Sequence, residues 1–194
     1  GSLNIKLTGV DNGSPNLSTS TTFTLTVNNS TPTLSINDVT VSESSDYAVV
    51  QVSLSNASSS AISFTPTLSS GTASVGTDSG SSLEYFNGSS WLSASSGVTI
   101  AAGSTSVLLR TSISNDSTYE GSESFSISTG SITGTVTNTS APSGTVTIKD
   151  DGSSTNVFSS STNSSSPATG SANNDKPTLS INDVTVSESS DYAV

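Results

Sequence analysis

The chain of 194 residues has no cysteine, no histidine and no methionine, and only four basic side chains stand against fifteen acidic ones. Without imidazole or thiol, no Ser-His-Asp or Cys-His nucleophile can be assembled, no zinc site of Cys/His type can form and no disulfide can staple the fold. No catalysed reaction is expected of such a chain. The formal charge of −11 and the sequence pI near 4.1 argue against nucleic acid as a partner, because displacing phosphate counterions needs clustered Lys and Arg. Anionic membrane surfaces are disfavoured on the same ground. No stretch approaches the roughly 20 apolar residues that span a bilayer, so membrane insertion is not expected, and Gly1-Ser2-Leu3 does not look like a signal peptide.

Apolar residues are also scarce, at 30 % against a typical ~45–50 %, while Ser and Thr supply roughly four residues in ten. That composition would suit disorder if the apolar residues were scattered. Instead they fall at alternate positions in short runs, the period of half-buried strands. Strands are predicted at about 33–41, 48–54, 62–68, 98–100, 106–113, 124–128 and 144–148. The inward candidates are Leu34, Ile36, Val39, Val41, Val50, Val52, Leu54, Ile62, Phe64, Leu68, Ile100, Val107, Leu109, Ile113, Phe125, Ile127, Val146 and Ile148. Ile36 and Val39 are three apart across Asn37-Asp38, which a strand tolerates only with a bulge or a switch between sheets. Some seven short strands separated by turn clusters predict an all-β fold, an antiparallel β-sandwich.

The organisation is repetitive. PTLSINDVTVSESSDYAV occurs at Pro32–Val49 and again at Pro177–Val194, an identity too long for chance, and the chain therefore reads as a section of a tandem array. A sandwich module is expected over 31–151, a Ser/Asn/Gly-rich extended linker over 152–176, and the first strands of the next module over 177–194. Residues 1–30 differ: TTFTLTVNN alternates cleanly after DNGSPNLSTS, predicting the last hairpin of a preceding β domain. With Asp11, Gly13 and Pro15 in a D-x-G-x-P turn before the final strand, this stretch resembles the end of a cadherin-like domain.

The acids of the module are few and placed at strand ends: Glu43 after the first strand, Asp78 in a Gly/Thr/Ser loop, Asp116, Glu120 and Glu123 together, and Asp150-Asp151 closing the last strand. Acids in β-turns are commonly just solvated. Carboxylates gathered without Lys or Arg repel one another unless a cation stands between them, and Ca²⁺, with its 6–8 hard oxygen ligands, is suited to that role. Spacing alone leaves both readings open. SINDVTVSESSDYAVVQVSLSN, GTASVGTDSG, SISNDSTYEGSESFSIS and GTVTIKDD, in that order, resemble successive landmarks of a Calx-β domain. The resemblance implies a seven-stranded Ig-like sandwich binding Ca²⁺ at one end, with Glu43, Asp78, Asp116, Glu120, Glu123, Asp150 and Asp151 as ligands. Two departures stand out: Asn115 where the family often has an acid, and Ser79 where an aromatic is usual.

The insert SSLEYFNGSSWLSASSGVTIAAGSTSVLLRTSISND resembles the form of this domain found in very long bacterial adhesins of RTX type. Its Tyr85, Phe86 and Trp91 would suit a sugar platform or, with Asn87-Gly88 as a hairpin turn, a hairpin packing over a small core. A glycosidase-like role for Glu120 and Glu123 would require a cleft. The expectation is a Ca²⁺-binding spacer repeat of a secreted or cell-surface bacterial adhesin, its partners the neighbouring repeats of the same chain. The alternatives are a carbohydrate- or protein-binding module and a filament subunit that associates laterally or end to end.

Overall fold

The computed structural model of the chain describes residues 1–26 and 30–192. Val27, Asn28 and Asn29 of the first predicted hairpin, and Ala193 and Val194 of the repeat, lie outside the described residues. In chain order the strands are β1 (Ser2–Val10), β2 (Ser18–Thr26), β3 (Leu34–Ile36), β4 (Val39–Ser42), β5 (Tyr47–Leu54), β6 (Ile62–Ser70), β7 (Glu84–Phe86), β8 (Trp91–Ser93), β9 (Val98–Ile100), β10 (Ser106–Ser112), β11 (Ser122–Thr133), β12 (Ser143–Lys149), β13 (Asn156–Val157) and β14 (Ala168–Thr169). Among the described residues no helix is long and apolar enough to cross a membrane.

Two five-stranded sheets, in the orders β3-β5-β10-β7-β8 and β4-β12-β11-β6-β9, form a β-sandwich. Their inner faces meet in one hydrophobic cluster. Leu34, Val50, Val52, Leu54 and Leu109 come from the first sheet, and Val41, Ile62, Phe64, Ile100, Phe125, Ile127, Val146 and Ile148 from the second. Burying each of these side chains contributes roughly 1.5–3 kcal/mol. Of the chain's 30 % apolar residues, those of the two sheets gather in this cluster, while large apolar side chains of β1, β2 and 177–192 remain exposed.

The Asn37-Asp38 pair is a switch between sheets. The Asn37 carboxamide oxygen accepts the Gln51 N–H at 2.5 Å, tying that residue to β5, and Asp38 Oδ1 accepts the Thr145 N–H at 2.7 Å, tying the next to β12. The chain thereby crosses from the first sheet to the second without turning, and Ile36 and Val39 both face inward. One pairing departs from the antiparallel expectation: β4 runs parallel to β12. Having crossed in the direction it had beside β5, the strand meets a neighbour that runs the same way. In β11 a bulge sets Gly130 and Ser131 both opposite Thr65. Gly130 has φ 60°, and a side chain there would strike the Thr65 carbonyl.

Residues 1–26 form the hairpin β1–β2, whose side chains are largely exposed. Its turn is held by Asp11, whose Oδ1 accepts the N–H groups of Gly13 and Leu17 at 3.2 and 2.7 Å.

The segment 152–176 does not run free as an extended linker. Phe158 is wholly buried, its carbonyl accepts the N–H groups of Asp46 and Tyr47, and β13 pairs with β14. It lies against the outer face of the first sheet at the buried Arg110. That guanidinium lies 3.8 Å from the Tyr47 ring centroid and 4.2 Å from the Trp91 ring, donates to Glu84 Oε2 at 2.7 Å and donates to the Ser160 carbonyl at 3.0 Å. The Trp91 indole N–H donates to Asn163 Oδ1 at 2.8 Å. A single aromatic in a polar segment suffices because Phe158 joins the buried apolar cluster while polar contacts hold its neighbours. Residues 177–192, by contrast, form no strand and are exposed throughout.

Candidate metal centre

The parallel pairing of β4 with β12 builds the acidic end of the sandwich. Ser42 lies opposite Lys149, so the two strands finish together and the following residues, Glu43 and Asp150, are neighbours. The Glu43 N–H donates to the Lys149 carbonyl at 3.0 Å. β11 starts at the same end, bringing Glu123 opposite Ile148. The preceding loop is tied down by bonds from the Asp150 N–H to the Gly121 carbonyl at 2.7 Å and from the Glu120 N–H to Asp150 Oδ2 at 3.0 Å. Asp78 is held in its own loop, accepting the Ser74 N–H at 2.6 Å while its carbonyl accepts the Ser114 N–H.

Two triads of carboxylates result: Glu43, Asp150 and Asp175, and Asp78, Glu120 and Glu123. In each, one oxygen per residue lies within 4.8 Å of the others. Glu43, Asp150, Asp78, Glu120 and Glu123 line a single small cavity of about 10 Å³, far too small for a sugar ring. Five of the seven expected ligands are therefore brought together. Asp116 is beside them but in neither triad: its N–H donates to Glu43 Oε1 at 3.2 Å, and its own carboxylate accepts the Thr118 N–H. Asp151 turns away, accepting the Ser153 N–H and lying 3.6 Å from the Lys149 ammonium. Those contacts, led by the hydrogen bonds from Ser153, hold its carboxyl below the usual range.

Two participants escaped the sequence reading because they lie in the segment taken for a linker. Asp175 supplies a carboxylate, and its N–H donates to Asp150 Oδ1 at 3.1 Å. Asn173 Nδ2 donates both to Glu43 Oε2 at 2.9 Å and to Asn115 Oδ1 at 2.8 Å. Asn115, the departure from the family pattern, thus faces the centre through an amide bridge. An isolated acid in NNDK carries no signal of its own; the fold-back of the segment places it here, with the Asn173 N–H on Ser42 Oγ and Asn174 bridged to Asp151. Ser79, the other departure, is buried and bridges Ile113 through its backbone.

The electrostatics follow from crowding. Burial, reinforced by Asp150, Asp116 and Asp175, pushes the Glu43 carboxyl up to about 7 despite the hydrogen bond from Asp116. Burial, then Glu120 and Asp78, pushes Glu123 up to about 7 as well, and Glu120 is raised by burial and by Asp78, Asp116 and Asp150. Glu123 Oε2 and Asp175 Oδ2 are enclosed with no hydrogen-bond partner. Hard, anionic, under-partnered oxygens converging from five chain segments fit a divalent cation of oxygen-seeking type.

Fold and site together define an all-β sandwich with a cation-seeking acidic end. No protein-family model and no curated protein matches the chain. Among solved structures it is similar to the apo form of the Calx CBD1 domain, with 20 % identity and a TM-score of 0.46 over 63 % of this chain and 99 % of that one. It is also similar to CBD12 of CALX1.2 and to the calcium binding domain CBD12 of CALX1.1, each with 22 % identity and a TM-score of 0.46 over 61 % of this chain. The match spans 45 % of each of these two structures.

Proposed function

We propose that this chain is a Ca²⁺-binding structural repeat, a spacer in a long secreted or surface-attached bacterial protein, and that it catalyses no reaction. The observation that carries this reading is the pair of carboxylate triads at one end of the sandwich, with two enclosed oxygens left unpartnered. Glu43, Asp150 and Asp175 would hold one ion and Asp78, Glu120 and Glu123 another, the ion supplying charge neutralisation and rigidity. Because Asp175 lies one residue from the end of the segment 152–176, a bound ion would also clamp that segment to the module and stiffen the path to the repeated stretch. An extracellular place agrees with the composition: with no cysteine for disulfides, an ion available at millimolar concentration can act as the staple.

Calorimetric titration of the chain with CaCl₂ tests this reading. Binding in the range of extracellular modules, about 10⁻⁴–10⁻³ M or tighter, is expected, with Mg²⁺ much weaker. A titration with no binding of Ca²⁺ up to 10⁻² M, on the order of ten times that range, would refute it.

A further inference from the structure

Residues 42–47 carry the chain from the end of β4 to the start of β5 and are gripped from two directions by the segment 152–176. Toward β5, Ser45 Oγ accepts the Phe158 N–H at 3.3 Å, the Phe158 carbonyl accepts the N–H groups of Asp46 and Tyr47 at 2.9 and 3.4 Å, and Asp46 Oδ2 accepts the Ser160 N–H at 2.7 Å. Toward β4, Ser44 Oγ donates to the Ser171 carbonyl at 3.0 Å and Ser42 Oγ accepts the Asn173 N–H at 3.1 Å. Between the two grips stands Glu43, whose carboxylate belongs to the triad with Asp150 and Asp175. The halves of the segment are also tied to each other, by the pairing of β13 with β14 and by the Gly170 N–H on the Thr155 carbonyl at 2.9 Å. The other triad, Asp78, Glu120 and Glu123, takes no residue from the segment.

We propose that the two ion sites are of different kinds. The site of Asp78, Glu120 and Glu123 is complete within the sandwich, whereas that of Glu43, Asp150 and Asp175 is complete only while Phe158 is seated, so docking of the segment and occupancy of this one site regulate each other. The inference rests on the Ca²⁺ reading and adds to it a two-state element, the segment docked or released. Released, the segment removes the Asp175 carboxylate from the site and the Asn173 amide from Glu43; docked, it restores both. An ion that meets one more carboxylate in one state than in the other shifts the population toward that state. The coupling is reciprocal, so the factor by which docking tightens the ion is the factor by which the ion tightens docking. Its route is contiguous, from Asp175 through Glu43 and residues 44–47 to Phe158, and each contact along it exists in the docked state alone. Phe158 belongs to neither triad, yet the first site depends on it.

The test is calorimetric titration of the full chain and of Phe158→Ala with CaCl₂. The parent chain should bind in two steps. In Phe158→Ala one step should weaken by roughly 5–150-fold, the usual span of coupling between sites, while the other is unchanged. Phe158→Leu, which keeps an apolar side chain in the seat, should show the same loss in smaller measure. Gln51 and Ser165 meet at 3.0 Å, and the chain has no cysteine of its own, so Gln51→Cys/Ser165→Cys can tether the segment by a disulfide. Added to Phe158→Ala, the oxidised pair should restore the weakened step and the reduced pair should not, a rescue that general damage to the sandwich would not show. In the reverse direction, amide hydrogen exchange within 152–176 should be slower in Ca²⁺ than in EDTA, and the difference should disappear in Asp175→Asn. Parental affinity at every step in Phe158→Ala, equal weakening of both steps, or exchange indifferent to Ca²⁺ while Ca²⁺ binds would overturn the coupling and leave the Ca²⁺ reading standing. A parent chain that binds no Ca²⁺ would overturn both.

Discussion

Asp175 donates its backbone N–H to Asp150 Oδ1 at 3.1 Å while its carboxylate joins that of Asp150 in one triad. Two carboxylates from segments 25 residues apart are thus held together by a main-chain bond, an arrangement suited to a cation between them.

The first prediction follows from this contact. At a Ca²⁺ concentration about 100-fold above Kd, binding stabilises the native state by roughly 2.7 kcal/mol, which for a chain of this size raises Tm by about 5–10 °C. Thermal unfolding in EDTA and in Ca²⁺ should show that shift for the parent chain. Most of it should be lost in Asp150→Asn, part of it in Asp175→Asn, and almost none in Asp151→Asn or Glu188→Gln, because Asp151 is turned toward Lys149 and Glu188 is exposed outside the module. A larger loss in Asp151→Asn than in Asp150→Asn would contradict the assignment of the triads.

A second prediction concerns pH in the absence of metal. Glu43 and Glu123 are pushed from about 4.5 up to about 7 in the folded chain, so between these values the native state binds protons that the unfolded chain has released. Their contribution to stability is then fully present below about pH 4.5 and is lost as pH rises through about 7. The urea midpoint in EDTA should be lower at pH 8 than at pH 5, and Glu43→Gln/Glu123→Gln should flatten the difference. With Ca²⁺ present the order should reverse, since ligation requires the ionised carboxylates. Equal midpoints at both pH values in EDTA would show that these groups are not crowded as described.

The third prediction addresses the docked segment. Phe158→Ala removes a wholly buried ring and should cost about 3–5 kcal/mol. Trp91 is the one tryptophan of the chain, sits against Arg110 and bonds to Asn163 of the segment. Its fluorescence should therefore shift to the red in Phe158→Ala, and limited proteolysis should cut within 152–176 before the sandwich. An unshifted spectrum with full protease resistance would show that the segment is anchored by other contacts.

Strand positions and core were legible because a sheet buried on one face needs apolar residues at every second position; each inward candidate from Leu34 to Ile148 lies in the core or packs on it. The acids near strand ends were legible for the same reason, as strand ends converge. Less so was the direction of Asp151, set by Lys149 and Ser153, or the entry of Asp175 and Asn173, which depends on the fold-back of the whole segment through Phe158 and on Asn173 meeting Ser42 and Glu43.

Composition alone determined that no thiol or imidazole chemistry is available and that hard oxygen donors dominate, and alternation alone determined an all-β chain. The rest was decided by tertiary structure, and the repeat demonstrates it within one molecule. The same residues form β3 and β4 where Asn138, Gln51 and Thr145 receive them, and form no strand at 177–192. A strand satisfies its backbone and buries its side chains only against neighbours, so its sequence states what it fits and the groove decides whether it forms.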